Sequence, residues 1–90
     1  MKKLKIIISG RVQGVWFRGY TKKIANSLDL KGYVKNLRNG DVEILAKGDN
    51  ENMDELLNKV RTGPPAARVD SVQTKEVSEP VNYESFKISY

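Results

Sequence analysis

The chain has 90 residues, no cysteine and no histidine, and its 16 lysines and arginines against 11 acidic residues give a net charge of +5 at pH 7. This length suits one small domain with a modest core, and we expect residues 1–90 to form it. The two missing residue types exclude disulfides, cysteine nucleophiles, histidine bases and Cys- or His-based metal sites within the chain.

No apolar run approaches the roughly 18 residues of a membrane-spanning helix, and the run from Leu4 to Ile8 is too short for the core of a signal peptide. We therefore expect a cytoplasmic protein that does not bind membranes. The positive charge permits nucleic acid, anionic lipid or a small phosphorylated ligand as partner.

The first elements are predicted to be a strand and a helix. Apolar and other residues alternate from Leu4 to Ile8, with an apolar residue on both faces, as in the central strand of a sheet. From Phe17 onward, apolar residues recur at helical spacing, which predicts a helix with a stripe formed by Tyr20, Ile24 and Leu28.

A β-hairpin is predicted next. Two β-prone runs, residues 33–37 and 42–46, flank Asn39-Gly40, and this dipeptide is typical of a tight turn because both residues tolerate positive φ. From its position alone, Asn36 is a strand-end residue that helps to form this hairpin.

The second half predicts a helix and two strands. Asp49 or Asn50 offers an N-cap, Gly63 before two prolines ends the helix, and its apolar stripe comprises Met53, Leu56, Leu57 and Val60. Strands are predicted over residues 69–77 and 86–90. The order βαββαβ with a short closing strand predicts an α+β fold, a ferredoxin-like α/β sandwich with two helices on one face of a mainly antiparallel sheet.

The segment Gly10–Tyr20, GRVQGVWFRGY, lacks a capping residue where the first helix begins and places Arg18 in its first turn, against the helix dipole. Unpaired N–H groups at a helix start, a glycine turn and an arginine together form an anion site that suits phosphate. Alternatively, the glycines only shape a turn, Trp16 and Phe17 belong to the core, and Arg18 is solvated. A nucleotide P-loop is disfavoured because Tyr20 stands where that motif has lysine.

The motif GRVQGVWFR, followed eighteen positions after its arginine by the asparagine of KGYVKN, resembles the acylphosphatase family. The similarity extends along the chain through GPPAARV to the final FKISY. The first motif is long and specific, and the second adds weight because it lies at the separation that the family has.

This resemblance implies a ferredoxin-like hydrolase that splits small anionic acyl phosphates into a carboxylate and inorganic phosphate, without a metal or other cofactor. It implies that Arg18 binds the phosphoryl group and that Asn36 orients the attacking water. The backbone cradle for phosphate would be formed by Gln13, Gly14, Val15, Trp16 and Phe17. We expect a monomer that does not bind nucleic acid.

Two other functions stay open at this point: a phosphate-binding module without turnover, and an RNA-binding module of the same fold. RNA-binding sheets stack bases on aromatic residues of their central strands, and residues 4–8 and 42–46 contain none. Arg11 is expected to act electrostatically rather than by contact. The remaining cations near the motifs, expected to form a positive rim or to be simply solvated, are Lys35, Arg38 and Lys47.

Overall fold

The structure is a computed structural model that describes all 90 residues as two helices and five strands. In chain order the elements are β1 (Lys2–Arg11), α1 (Phe17–Ser27), β2 (Lys31–Asn36), β3 (Val42–Gly48), α2 (Asn50–Thr62), β4 (Arg68–Glu76) and β5 (Phe86–Ser89). The predicted ferredoxin-like order with a short closing strand is confirmed. Neither helix combines the length and apolarity required to cross a membrane.

All five strands form one sheet in the order β4-β1-β3-β2-β5. The pairs β1–β3, β1–β4 and β2–β3 are antiparallel, and only β5 runs parallel to its neighbour β2. The prediction of a central first strand is correct, but only one of its faces is fully buried: Leu4, Ile6 and Ile8 face the core, while Ile7 is half-buried. The β2–β5 pairing brings the C-terminus beside the strand that ends at Asn36.

The most deeply buried row of helix α1 lies beside the predicted stripe. Its buried residues are Phe17, Thr21 and Ala25, spaced four apart. The Thr21 hydroxyl donates to the Phe17 carbonyl at 2.9 Å, so this polar side chain is satisfied inside the core. The predicted stripe lies at the edge of this buried face: Tyr20, Ile24 and Leu28 are half-buried, and Ile24 and Leu28 pack against the core.

Helix α2 follows the predicted stripe, with Met53, Leu56 and Val60 buried. Asp49 occupies the N-cap position as predicted, yet its side chain makes no capping hydrogen bond. Gly63 ends the helix with φ 73°, a conformation in which a Cβ would be strained. The stability of α2 therefore comes from its buried face more than from its first turn.

The β2–β3 hairpin is longer than the Asn-Gly pattern predicts. Only Gly40 has positive φ, at 98°, whereas a two-residue type I′ turn needs two such residues. The Gly40 N–H donates to the Leu37 carbonyl at 3.2 Å. Asn39 does not adopt the left-handed conformation, and its side chain accepts a hydrogen bond from the Asp41 N–H at 3.0 Å. Leu37 therefore leaves the strand, and Asn36 is the last residue of β2, paired with Val42.

Candidate active site

The loop between β1 and α1, residues 12–16, leaves its backbone donors without backbone partners. Trp16 is the N-cap residue of α1, with φ 66° and ψ 23°, and no side chain caps the helix. Gly14 also has positive φ, at 74°. The first helical hydrogen bond runs from Tyr20 N–H to the Trp16 carbonyl at 3.0 Å, and the N–H groups of residues 13–16 donate to no backbone carbonyl. Such alternation of left-handed residues aims successive N–H groups into one concavity, a common anion site.

Arg18 is the second residue of α1 and is half-buried. The first turn contains no acidic residue, and no carboxylate lies within salt-bridge distance of the guanidinium. The guanidinium carbon lies 5.1 Å from the centroid of the Tyr90 ring, a cation–π contact that orients the side chain. Arg18 therefore adds a full positive charge to the positive end of the helix without internal compensation.

Asn36 reaches the same region from the sheet. Its Oδ1 is buried and has no hydrogen-bond partner within the protein. A buried carbonyl oxygen without a partner costs about 1–3 kcal/mol, so such atoms are rare in folded proteins. The side chain is therefore placed at a cost in stability, and this is typical of a residue that meets a ligand.

One cavity of about 230 Å³ joins these groups. It is smaller than the roughly 300 Å³ at which drug-sized ligand sites begin, and Arg18 is its only charged lining residue. The residues that line it are Val12, Gly14, Trp16, Phe17, Arg18, Gly19, Asn36, Ile88 and Tyr90. Thus, of the residues named from the sequence, Arg18, Asn36, Gly14, Trp16 and Phe17 line the cavity, and Gln13 and Val15 do not.

Gln13 has a side-chain contact that the sequence did not reveal. Its Nε2 donates to the carbonyl of Leu37 at 2.7 Å and to that of Asp41 at 2.9 Å. These two carbonyls belong to the residues that close the β2–β3 hairpin directly after Asn36. Because the partners lie 24 and 28 positions away, no local pattern indicates this bond.

Tyr90 was also missed as a cavity residue. The sequence predicted it as the end of the last strand, but β5 stops at Ser89, and the Tyr90 ring lies beside Arg18. Its position follows from the parallel pairing of β5 with β2, and sequence alternation carries no information about that pairing.

The other cations lie outside the cavity lining. Lys35 Nζ is 3.6 Å from a Glu43 carboxylate oxygen, and that carboxylate also accepts a hydrogen bond from the Tyr33 hydroxyl at 2.8 Å. Burial and this hydrogen bond raise the pKa of Tyr33. Lys47 lies at the end of β3 away from Asn36, opposite Lys31. The cavity lining thus contains none of the three cations of the predicted positive rim, and Arg38 among them is exposed to solvent. Arg11 is also exposed and lies outside the lining.

No group of three or more His, Cys, Asp or Glu residues is arranged to hold a metal ion. The cavity lining combines the Arg18 guanidinium and the Asn36 carboxamide with the Trp16 indole N–H, the Tyr90 hydroxyl and backbone of the β1–α1 loop. This donor set suits an oxyanion, because guanidinium and N–H groups donate hydrogen bonds to oxygen.

Comparison with known proteins gives consistent matches along the chain. The sequence profile described as Acylphosphatase matches residues 4–88. An acylphosphatase of Archaeoglobus fulgidus is 48% identical over 87 residues, covering 97% of each chain, and one of Thermotoga maritima is 49% identical over 90 residues, covering 100% of this chain and 99% of its own. The crystal structure of acylphosphatase from Bacillus subtilis superposes with a TM-score of 0.95 at 36% identity, covering 100% of both chains.

Proposed function

Since this chain belongs to the acylphosphatase family of hydrolases, we propose that it splits small acyl phosphates by direct attack of water on a phosphoryl group held by Arg18 and the β1–α1 loop. The observation that carries this proposal is the buried, unpartnered Oδ1 of Asn36 in the same cavity as Arg18. In this proposal the attacking water donates a hydrogen bond to Oδ1 and thereby lies beside the bound phosphoryl group.

Phosphate binding follows from the local backbone. In this proposal the N–H groups of Gln13 to Phe17 donate to the phosphoryl oxygens where α1 begins, and the Arg18 guanidinium presents two parallel donors to the same oxygens. A dianion there also neutralises the clash between Arg18 and the helix dipole, which the first turn leaves uncompensated. Substrate binding thus removes an unfavourable interaction of the free protein.

Water activation is a matter of position. Asn36 Oδ1 accepts a hydrogen bond from the water and directs a lone pair of the water oxygen at phosphorus. A carboxamide is too weak a base to remove a proton, so the water proton passes to a phosphoryl oxygen of the substrate. The new P–O bond forms as the bond from phosphorus to the acyl oxygen breaks, and the carboxylate leaves with the electron pair.

The leaving group explains why so few side chains suffice. A carboxylate departs without a general acid, because its conjugate acid has a low pKa. Phosphoryl transfer depends chiefly on positioning and on stabilising charge on the phosphoryl oxygens, and an arginine with several N–H donors supplies both. A chain without histidine or cysteine contains everything that this reaction needs.

The proposed function is tested with the purified chain, benzoyl phosphate and acetyl phosphate in excess EDTA. We expect release of carboxylate and inorganic phosphate with multiple turnovers, and competitive inhibition by inorganic phosphate. Phosphate binding without turnover would favour the non-catalytic module instead. The absence of both phosphate binding and turnover would reject the proposed site.

Gln13→Met tests how Asn36 is positioned. The change removes both hydrogen bonds to the hairpin while keeping side-chain length, so we expect kcat to fall about tenfold because Asn36 loses its fixed position. The inhibition constant of phosphate should change little, since the loop N–H groups are kept. Steady-state kinetics on both substrates measure this split.

The same change in an Asn36→Ala background should cost almost nothing further in kcat, because the residue that Gln13 positions is already gone. Arg38→Gln is the matched control, since this exposed side chain belongs to the same hairpin and takes no part in the Gln13 contacts, and it should leave kcat near that of the native chain. Equal losses in both backgrounds would mean that Gln13 acts independently of Asn36.

A further inference from the structure

Trp16 combines two features that stability alone disfavours. It is 60% exposed, although tryptophan is among the most apolar side chains, and it adopts φ 66°, a left-handed conformation that residues other than glycine and asparagine rarely take. Glycine at this position would be free of that strain. A strained, exposed aromatic residue that lines the candidate active site therefore indicates a role toward a ligand.

The indole is held in place by its neighbours rather than free in solvent. A Cβ at Gly19 would lie 2.2 Å from Trp16 Nε1 and 2.7 Å from Cδ1, so the indole lies directly against the glycine backbone in the first turn of α1. Glycine weakens a helix interior, and here its lack of a side chain makes room for the ring. The ring also meets Tyr20 edge to face, with centroids 6.2 Å apart and an interplanar angle of 73°.

From these observations we propose that Trp16 forms the wall of an acyl subsite, which selects acyl phosphates with an aromatic acyl group over short aliphatic ones. The inference rests on the proposed function and concerns the same cavity. With the phosphoryl group at Arg18 and the loop N–H groups, we place the acyl group against Trp16, which lines the same cavity and is exposed to solvent. Two further lining residues come from the C-terminal end of the chain: Ile88, which is half-buried and uncharged, and Tyr90, whose ring already contacts the Arg18 guanidinium.

An exposed indole face prefers a flat aromatic partner. Aromatic pairs gain free energy from offset or edge-to-face contact beyond the area they bury, and the gain corresponds to about a tenfold preference in binding. A methyl group has no such contact to offer. The subsite therefore discriminates by ring stacking, while the phosphoryl contacts are common to every substrate.

The experiment compares kcat/KM for benzoyl phosphate and acetyl phosphate in the native chain, Trp16→Phe, Trp16→Leu and Gly19→Ala. Phenylalanine keeps an aromatic face, whereas leucine keeps only apolar volume, and both keep the strained Cβ. We expect the benzoyl-to-acetyl ratio to fall about tenfold in Trp16→Leu and Gly19→Ala and to stay near the native ratio in Trp16→Phe. A ratio within one variant cancels any uniform effect on phosphate binding.

Trp16 is the only tryptophan of the chain, so intrinsic tryptophan fluorescence reports on this ring alone and needs no turnover. Titration with benzylphosphonate should shift the emission to shorter wavelength, with a dissociation constant about tenfold below that of methylphosphonate. Methylphosphonate should leave the emission maximum in place, because it occupies only the phosphoryl site.

An unchanged benzoyl-to-acetyl ratio in Trp16→Leu, or equal losses on both substrates, would overturn the acyl subsite and leave the proposed function intact. If the native chain hydrolyses neither substrate in EDTA, the proposed function fails and the subsite fails with it. Trp16→Gly separates lost stacking from misfolding. Glycine adopts positive φ without strain, so the melting temperature should rise while the benzoyl-to-acetyl ratio falls.

Discussion

Arg18→Gln should lower kcat/KM for acyl phosphates by about 10³-fold or more, the range in which a single arginine stabilises phosphoryl transfer. Arg18 is the only charged side chain of the cavity lining, and glutamine keeps hydrogen-bonding ability while removing that charge. Both ground-state binding and transition-state stabilisation are expected to suffer. The measurement is the initial rate at several substrate concentrations, with protein folding checked by circular dichroism.

A binding experiment separates Arg18 from general charge effects. Inorganic phosphate at about ten times its dissociation constant should raise the free energy of unfolding of the native chain by about 1.4 kcal/mol, and hence its melting temperature by several degrees. Arg18→Gln should lose most of this stabilisation. Arg11→Gln is the matched control, because Arg11 is exposed and lies outside the cavity lining, and it should keep both activity and the response to phosphate.

Activity retained in Arg18→Gln would reject the proposed phosphate site. An equal loss in Arg11→Gln would show instead that net charge, rather than a placed guanidinium, attracts the substrate.

Asn36→Ala is expected to lower kcat about 10²-fold, because a water that is no longer aimed at phosphorus loses most of the advantage of a fixed geometry. The inhibition constant of inorganic phosphate should stay close to the native value, since Arg18 and the loop N–H groups are unchanged. The kinetic result is thus a loss in kcat rather than in binding.

Stability provides a second, independent readout for Asn36→Ala. The change removes a buried oxygen that has no partner in the protein, so the variant should be as stable as the native chain or slightly more stable. Thermal unfolding without phosphate measures this. A large drop in melting temperature would mean that Asn36 is chiefly structural, and an unchanged kcat would remove it from the mechanism.

Much of the fold is readable in the sequence. The alternation around Ile6, the stripe of α2 and the order of strands and helices predicted the ferredoxin-like fold, because these signals depend on residues close together in the chain. The most deeply buried row of α1 is not its most apolar one, although Ile24 and Leu28 of the predicted stripe pack against the core. Thr21 is buried because its hydroxyl is satisfied by the Phe17 carbonyl, an option that an apolarity pattern does not include.

The hairpin shows a similar limit. Asn39 tolerates positive φ, yet its side chain bonds the Asp41 N–H instead, and the turn lengthens by one residue. In this longer turn Asn36 is the last residue of β2, and the Leu37 and Asp41 carbonyls accept hydrogen bonds from Gln13.

By itself, the sequence determined that α1 begins without a cap and carries Arg18 in its first turn, because capping and helix position depend on a few adjacent residues. Only the tertiary structure decided that Asn36 Oδ1 is buried without a partner, that Gln13 binds the hairpin and that Tyr90 lies beside Arg18. Gln13 and Leu37 are 24 positions apart in the chain, and Arg18 and Tyr90 are 72 positions apart. Their physical cause is the strand order β1-β3-β2-β5, which local backbone preferences do not encode.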